Sequence, residues 1–374
     1  MGALPKRDAT NGDSVAARLR GRIDREGPLS VHDYMEACLA DRRSGYYVTR
    51  QPIGATGDFI TAPEISQIFG ELIGAWAVAV WQAMGAPSAV VVAELGPGRG
   101  TLMADALRAW RSAPDFLAGV SAALIETSPV LRAAQHEALR NSPAPLQWYA
   151  ALEDVPRGPL ILIANEFIDA LPVRQFVREG RVWRERTVTL TDAGGLAFGA
   201  GATVGGDALP SWLADEDAAD GAIVEMRPAA SKLIETLASR AKDAPVSALI
   251  ADYGHAQSGI GDTLQAVRHH RFADPLSAPG ETDLTAHIDF AALKEDARAC
   301  GLATFGPMSQ GQFLLALGLE SRCNRLIRDA TPDQREAIQS GAARLADPRQ
   351  MGALFKMLAL QSSGLAPPPP FVDI

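Results

Sequence analysis

The feature that most constrains the fold lies at residues 90–100, where a short apolar run ends on an acid and opens into three alternating glycines. The run Val90–Ala93 has the composition of a buried parallel strand. After the glycines, apolar side chains recur at helical spacing. They are Leu102, Ala106, Leu107 and Trp110. Strand, glycine turn and helix form a ligand-cradling unit, because backbone N–H groups in a turn without side chains can approach a bound molecule closely.

The spacing of the glycines indicates which ligand this turn binds. A dinucleotide fingerprint requires G-x-G-x-x-G or Ala, and the last position here would be Thr101, which is too bulky for close helix–sheet packing. The pattern present is acid-x-G-x-G-x-G, which resembles motif I of the class I S-adenosylmethionine (SAM) methyltransferases. Its residues are Glu94, Gly96, Gly98 and Gly100. SAM has no pyrophosphate, so the loop needs only to wrap its methionine part, while acids bind its ammonium group and ribose hydroxyls. The alternative is a glycine turn that serves packing alone.

Composition excludes several classes of protein. The 374 residues are 47% apolar and 21% charged, which is typical of a globular chain. A formal net charge of −9 leaves no basic surplus for phosphate contacts, so nucleic acid is not expected as a partner. No apolar stretch is long enough for a membrane span. The first residues carry acids and lack an apolar signal core, which favours the cytoplasm.

The order of strand and helix patterns predicts an α/β fold with a doubly wound, Rossmann-like sheet. The resemblance to the SAM methyltransferases implies the class I methyltransferase form of that sheet. The predicted strands are Val90–Glu94, Ala122–Glu126, Leu146–Tyr149, Leu160–Ala164 and Ala248–Asp252. The helices expected among them cover residues 101–111, 129–140 and 227–240.

The remaining segments suggest a domain organisation. Residues 1–85 are expected to form an N-terminal helical cap with a glycine-rich loop, and residues 86–374 the methyltransferase domain. Within that domain an excursion at 173–224 contains an alternating strand, a Gly-Gly turn and a second strand, so it predicts a β-rich insertion. The stretch from Asp252 to His287 is expected to be a long loop without regular structure, which is uncommon unless functional.

Polar side chains follow the carboxyl ends of the predicted strands, where ligands bind in open α/β sheets. The first strand ends at Glu94 and the second at Glu126, whose carboxylate can accept both ribose hydroxyls of a nucleoside. The fourth ends in Asn165, Glu166 and Asp169, three polar groups that are costly to bury unless they meet a ligand or one another. We expect these ends to form the binding crevice.

Five blocks of sequence, in order, together resemble the MidA family of SAM-dependent methyltransferases. They are Gly57–Ser66, Glu94–Met103, Asn165–Val173, Ala251–His255 and Asp283–Phe290. The family includes the mitochondrial complex I assembly methyltransferase, which dimethylates an arginine of a complex I subunit. The resemblance implies SAM as the cofactor and methyl transfer to a protein side chain. It makes arginine the leading acceptor, on a partner protein such as a respiratory complex I subunit.

The resemblance also implies roles for individual residues. Methyl transfer to a guanidinium requires carboxylates that hold the cation and direct its charge away from the attacking nitrogen. Glu166 and Asp169 stand where arginine methyltransferases of similar fold carry two acids, although Asp169 is shorter than the glutamate usual there. His287 stands where they carry a histidine near the substrate. Gly57 and Asp58 belong to a loop that is a candidate lid over SAM, with an ordinary glycine loop as the alternative.

Other interpretations stay open. The acids after the fourth strand can form a hydrogen-bond network among themselves, and His287 can be a partner of Asp289 at a helix N-terminus. The whole chain can be a non-catalytic SAM-binding assembly factor. An NAD-linked oxidoreductase is a further alternative, disfavoured by Thr101. No metal is expected, since the histidines and the scattered cysteines lack ligand spacing. The oligomeric state is open, with a homodimer as one option.

Overall fold

The computed structural model of this protein describes residues 14–41, 43, 45–49, 54, 60–215, 217–268 and 270–371. The candidate loop residues Gly57 and Asp58 lie outside the described residues. None of the described helices combines the length and the hydropathy that a transmembrane span requires.

The helices follow in chain order. They are α1 (Val15–Glu26), α2 (Val31–Ala40), α3 (Tyr46–Thr49), α4 (Ala62–Ile65), α5 (Gln67–Ala83), α6 (Thr101–Trp110), α7 (Pro114–Gly119), α8 (Pro129–Ala138), α9 (Pro228–Ala241), α10 (Phe290–Ala299), α11 (Gln310–Ala316), α12 (Leu319–Ile327), α13 (Pro332–Ala346) and α14 (Met351–Leu354). Short 3-10 turns lie at Leu152–Asp154, Gly206–Ala208 and Ser211–Asp215.

The strands follow in the same way. They are β1 (Leu29–Ser30), β2 (Val90–Leu95), β3 (Val120–Ile125), β4 (Leu146–Tyr149), β5 (Leu160–Asn165), β6 (Arg174–Glu179), β7 (Val182–Leu190), β8 (Leu196–Val204), β9 (Ile223–Met226), β10 (Val246–His255), β11 (Gln265–Arg268), β12 (Arg271–Ala273), β13 (Asp283–Thr285), β14 (Ile288–Asp289), β15 (Leu302–Ser309) and β16 (Phe355–Ser362).

By packing, the chain falls into two compact units. The first comprises Met1–Arg50, Ala170–Pro228 and Gly259–Ala286, and the second comprises Gln51–Asp169, Ala229–Ser258 and His287–Ile374. This grouping differs from a division after residue 85, which stays a prediction about folding units.

The second unit is built on a mixed sheet with the strand order β15-β16-β10-β5-β2-β3-β4, to which β14 adds beside β10. From β10 to β4 all neighbours are parallel, whereas β16 runs antiparallel to β10 and β15. The five predicted strands are present, and no predicted end differs by more than three residues. The expected α/β class is therefore confirmed. The chain continues from β2 to β3 and β4 on one side and then returns to β5 on the other side of β2, so the strand order reverses at β2, which is the switch point of the sheet.

Helix α5 belongs to the core of the second unit. Its Trp76 is 1% exposed and shares the hydrophobic core with Val92 of β2 and Leu102 of α6. Two glycines let the backbones of α5 and α6 approach: a Cβ on Gly70 would lie 2.6 Å from the Asp105 Cβ, and one on Gly74 would lie 2.7 Å from the Ala106 Cα. The long apolar helix is thus fixed directly against the helix that follows the glycine turn.

The first unit contains two antiparallel sheets. In the larger one, β7 pairs with β8 along one edge and with β6 and then β1 along the other. The region 173–224 is β-rich, as the alternating pattern predicts. The smaller sheet, β12-β11-β13, occupies part of the stretch from Asp252 to His287. The expectation of a long irregular loop there is wrong, because strands of three or four residues are too short to produce a readable alternation.

Candidate functional site

The glycine turn between β2 and α6 has the backbone that its sequence predicts. Gly96, Gly98 and Gly100 have positive φ values of 55°, 55° and 83°. A Cβ on Gly96 would lie only 2.7 Å from the ring of Phe167, so a side chain there is disfavoured both by the positive φ and by a steric clash. Gly100, in the left-handed conformation, is the N-cap residue of α6. The turn therefore offers a side-chain-free surface at the switch point.

Glu94 lies one residue before the end of β2 and is 3% exposed. Its Oε2 atom has no hydrogen-bond partner among the described residues. Burial raises the pKa of this carboxyl group to about 8. A buried polar atom without a partner is costly, so the position fits an acid that is completed by a ligand. The ammonium group of SAM has the required chemistry.

Glu126 directly follows β3 and is 8% exposed. Its Oε1 accepts a 2.7 Å hydrogen bond from the Ser128 amide, and its Oε2 accepts a 3.3 Å bond from Gln135 Nε2. Burial raises the pKa of Glu126, while these hydrogen bonds and the charge of Arg132 act in the opposite direction. Each carboxylate oxygen retains a further lone pair, so the group can still accept two hydroxyls.

Glu166 directly follows β5 and adopts φ +48°, which is uncommon for a residue other than glycine. Its Oε1 accepts from the Ala62 amide at 2.9 Å and from Asn165 Nδ2 at 3.3 Å. The residue as a whole is half-buried, but its carboxyl group lies deep among protein atoms. Burial, and then the charge of Asp169, raise the pKa of Glu166 to about 8, although the Ala62 amide opposes this.

Two more acids lie beside Glu166, at the ends of the adjacent strands β5 and β10. Asp169 is 6% exposed, and its Oδ2 accepts a 2.7 Å hydrogen bond from the Tyr253 hydroxyl. Asp252 is fully buried, and its Oδ2 accepts from the amides of Ile168 at 3.1 Å and Asp169 at 3.2 Å. Burial, with the charges of Asp169 and Glu166, raises the pKa of Asp252. The acids at the ends of β5 and β10 therefore lie close together, as expected.

His287 lies next to this cluster through an aromatic contact. Its ring packs edge-to-face on Tyr253, with 5.4 Å between the centroids. Asp289 caps α10 by accepting from the Ala292 amide at 2.9 Å, and its Oδ2 lies 3.9 Å from His255 Nε2. Tyr253 thus connects two of the three candidate catalytic residues, Asp169 and His287, while the catalytic roles of all three stay predictions.

Glu64 is a residue of the site that sequence reasoning missed. Its Oε1 accepts from the Thr101 hydroxyl, and its Oε2 accepts from Arg99 Nη1 at 3.3 Å. Since the Ala62 amide bonds Glu166, the short helix α4 connects the glycine turn to the acid cluster. The only signal was that Glu64 lies in the block Gly57–Ser66. The described end of that block braces the site, and the lid role of Gly57 and Asp58 stays a prediction.

Gln135 was also missed. It is fully buried on α8, and its Nε2 donates to the Gly98 carbonyl at 2.8 Å as well as to Glu126. Its Oε1 accepts from Trp148 Nε1 at 2.9 Å. No local pattern distinguishes this glutamine from one on a solvated helix face.

Among the described residues, one group of His, Asp and Glu side chains has metal-like spacing, on α2 of the first unit. Its members are His32, Asp33 and Glu36, with ligand atoms within 4.8 Å of one another. They are half-buried or exposed, and exposed acidic groups commonly form such clusters without an ion. The expectation of no metal stays a prediction.

Comparisons with known proteins agree with this arrangement. The profile of the Methyltransf_28 family, described as S-adenosyl-L-methionine-dependent methyltransferases, matches residues 72–308. The chain is 37% identical over 370 residues to "Protein arginine methyltransferase NDUFAF7, mitochondrial" of Danio rerio, covering 93% of this chain and 86% of the relative. Identity to the protein of the same name from Homo sapiens is 36%, covering 91% and 81%.

A solved structure is similar over nearly the whole chain. It is a COG1565 superfamily member from Burkholderia thailandensis bound to S-adenosyl-homocysteine, with a TM-score of 0.83 and 29% identity. The similarity covers 97% of this chain and 95% of that one.

Proposed function

Because the chain belongs to the family of SAM-dependent methyltransferases, we propose that it transfers the methyl group of SAM to an arginine side chain of a partner protein. Methyl transfer from SAM is the activity of the family, which confirms the predicted enzyme class, cofactor and resemblance to the MidA family. The arginine acceptor is the further step. It is supported by the names of the relatives and by the acids at the end of β5.

The observation that carries the proposal is the crowding of Glu166, Asp169 and Asp252 at the ends of two strands next to the switch point. Buried carboxylates that raise one another's pKa are stabilised by an incoming cation. A guanidinium meets two carboxylates through planar, charge-assisted hydrogen bonds. The cluster therefore suits an arginine better than a neutral acceptor.

The roles of the chain's own residues follow from these contacts. The glycine turn and Glu94 are proposed to hold the methionine part of SAM, and Glu126 its ribose, so that bound SAM presents an electrophilic methyl group. Glu166 and Asp169 hold the guanidinium and align its nitrogen with that methyl group. Each transfer releases one proton. A pKa near 8 keeps the Glu166 carboxyl group mostly protonated at neutral pH while no cation is bound. A bound guanidinium favours the ionised carboxylate, which can then accept that proton.

The identity of the partner protein and the compartment are separate parts of the proposal. The family resemblance points to a respiratory complex I subunit as the partner, and we carry that forward as part of the proposal. The cytoplasmic location and the homodimer stay predictions.

The test uses purified protein, labelled SAM and a cell extract, followed by mass spectrometry of the labelled protein. The variant Glu166→Gln keeps an oxygen that can accept from the Ala62 amide but removes the charge. We expect methylarginine with the wild type and at least about a 100-fold slower transfer with Glu166→Gln, since the variant loses both a cation contact and a base. Binding of S-adenosylhomocysteine (SAH) should be unchanged. Label on another residue type, or full transfer by Glu166→Gln, would refute the proposal.

A further inference from the structure

The side-chain amide of Gln135 lies between the two parts of the proposed cofactor site. It is fully buried on α8, the helix that follows β3 and Glu126 in the chain. The amide reaches the Gly98 carbonyl in one direction and the Glu126 carboxylate in another. The glycine turn also lies against this side chain, since a Cβ built on Gly100 would be in van der Waals contact with Gln135 Cγ at 3.4 Å.

The orientation of this amide is determined by its third partner. The indole N–H of Trp148 can only donate, so the atom 2.9 Å from it must be the amide oxygen of Gln135. The amide nitrogen then faces Gly98 and Glu126, and its two protons match two acceptors. The orientation is therefore fixed by chemistry. Trp148 is itself held by His136, whose ring lies 3.8 Å away between centroids.

We propose that Gln135 is a positioning residue for the cofactor, which ties the glycine turn to Glu126 and thereby sets the affinity for the nucleoside part of SAM. The inference rests on the proposed placement of SAM at Glu126 and the glycine turn. Gln135 acts through Glu126 and the Gly98 carbonyl, and it requires no contact of its own with the ligand. The donated proton also keeps Glu126 an acceptor, and an acceptor is what two ribose hydroxyls need.

The first test replaces the hydrogen-bonding amide by an apolar side chain of similar length. In Gln135→Met we expect the Kd for SAH, measured by isothermal titration, to rise about tenfold, because a hydrogen bond to a charged group is lost. The matched control is Gln310→Met. Gln310 is also fully buried in the second unit and donates to the Leu345 carbonyl at 2.9 Å. The variant Gln310→Met should lower the melting temperature about as much as Gln135→Met does, while its SAH Kd stays within about twofold of the wild-type value.

The second test introduces a pH dependence of SAH affinity through a new carboxyl group. In Gln135→Glu the new carboxyl group can donate to Glu126 only while it is protonated. SAH affinity of this variant should therefore fall steeply as pH rises, with circular dichroism confirming that the protein stays folded. The other charged group acting on Glu126 is Arg132, which stays unchanged. A role limited to core packing would lower the melting temperature of both variants without moving SAH affinity or its pH profile.

The outcomes distinguish the cofactor placement from the positioning role. If the wild type gave no heat with SAH, the proposed placement of the cofactor would fail. If the wild type bound SAH and Gln135→Met bound it equally well, the positioning role alone would be overturned. A similar loss of SAH affinity in Gln310→Met would also overturn it, because the effect would then be general destabilisation.

Discussion

The ends of β2 and β3 differ in kind from the end of β5, although all three strands lie side by side in one sheet. At β2 and β3 the site is made by backbone geometry, with one acid for each strand, and the oxygens of Glu126 are already oriented by a backbone amide and Gln135. At β5 it is made by charge, with Glu166 and Asp169 next to Asp252. A rigid cradle is what a constant ligand such as SAM requires, whereas an acid cluster selects its ligand by charge.

The largest effect should come from the backbone of the cradle. Gly96→Ala would place a side chain at positive φ and 2.7 Å from the Phe167 ring, which costs about 2–3 kcal/mol in strain and displaces the turn. We expect SAH affinity to fall by about 100-fold, measured by isothermal titration.

The control for this glycine is Gly85→Ala. Gly85 also has a positive φ of 87°, but no atom of the described residues lies within 4 Å of the position that a Cβ would take there. This variant should lose stability from backbone strain and keep SAH affinity. If Gly96→Ala bound SAH as tightly as the wild type, binding would not depend on the backbone of the glycine turn. The contrast between the ends of β2 and β3 and the end of β5 would then be lost.

A smaller effect is expected from the buried acid at the end of β2. The pKa of Glu94 rises from 4.5 to about 8 on folding, so between these pH values the folded state binds more protons than the unfolded state. The stability that this group contributes is present below pH 4.5 and is lost as pH rises through 8. Glu94→Gln should remove this dependence, and between pH 6 and 8 the free energy of unfolding of the wild type should fall relative to the variant by about 2 kcal/mol.

Denaturant titrations of both proteins at pH 6, 7 and 8 measure this difference. Saturation with SAH should reduce it, because an ammonium group next to Glu94 favours the ionised carboxylate. Parallel pH profiles of the two apo proteins would mean that Glu94 is ionised in the fold. It would then need a partner other than the ligand.

The same contrast explains how much of the site could be predicted from the sequence. The strands, the glycine turn and the acids at the strand ends are local patterns, so their positions follow from runs of a few residues. The hydrogen bonds that connect the parts of the site are not local. Gln135 meets Gly98, and Glu64 meets Thr101, across 37 residues in each case. Nothing in a single sequence marks such a pair, because a buried glutamine or glutamate has the same identity as an exposed one.

The short strands of the first unit were harder to predict for another reason. β1 has two residues and pairs with β7, more than 150 residues further along the chain, and β11–β13 have three or four residues each. Such strands are stabilised by their neighbours and not by their own pattern. The predicted β-rich insertion was recognisable because β7 and β8 are nine residues long and joined by a tight turn.

The smallest effect should come from the tyrosine that connects the acid cluster to His287. The ring of Tyr253 lies 5.4 Å from the rings of His287 and Phe355, so Tyr253→Phe keeps this packing and removes only the hydroxyl bonded to Asp169. We expect kcat/KM for methyl transfer to fall about fivefold, since the hydrogen bond that positions Asp169 is lost, with no change in SAH affinity. Tyr149→Phe, which removes an exposed hydroxyl bonded to Gln147, should change neither quantity.

If Tyr253→Phe weakened SAH binding as much as it slowed transfer, Tyr253 and Asp169 would belong to the cofactor side. The acid cluster would then select SAM rather than the acceptor, because a residue that serves only the acceptor cannot alter the affinity for a ligand bound without it.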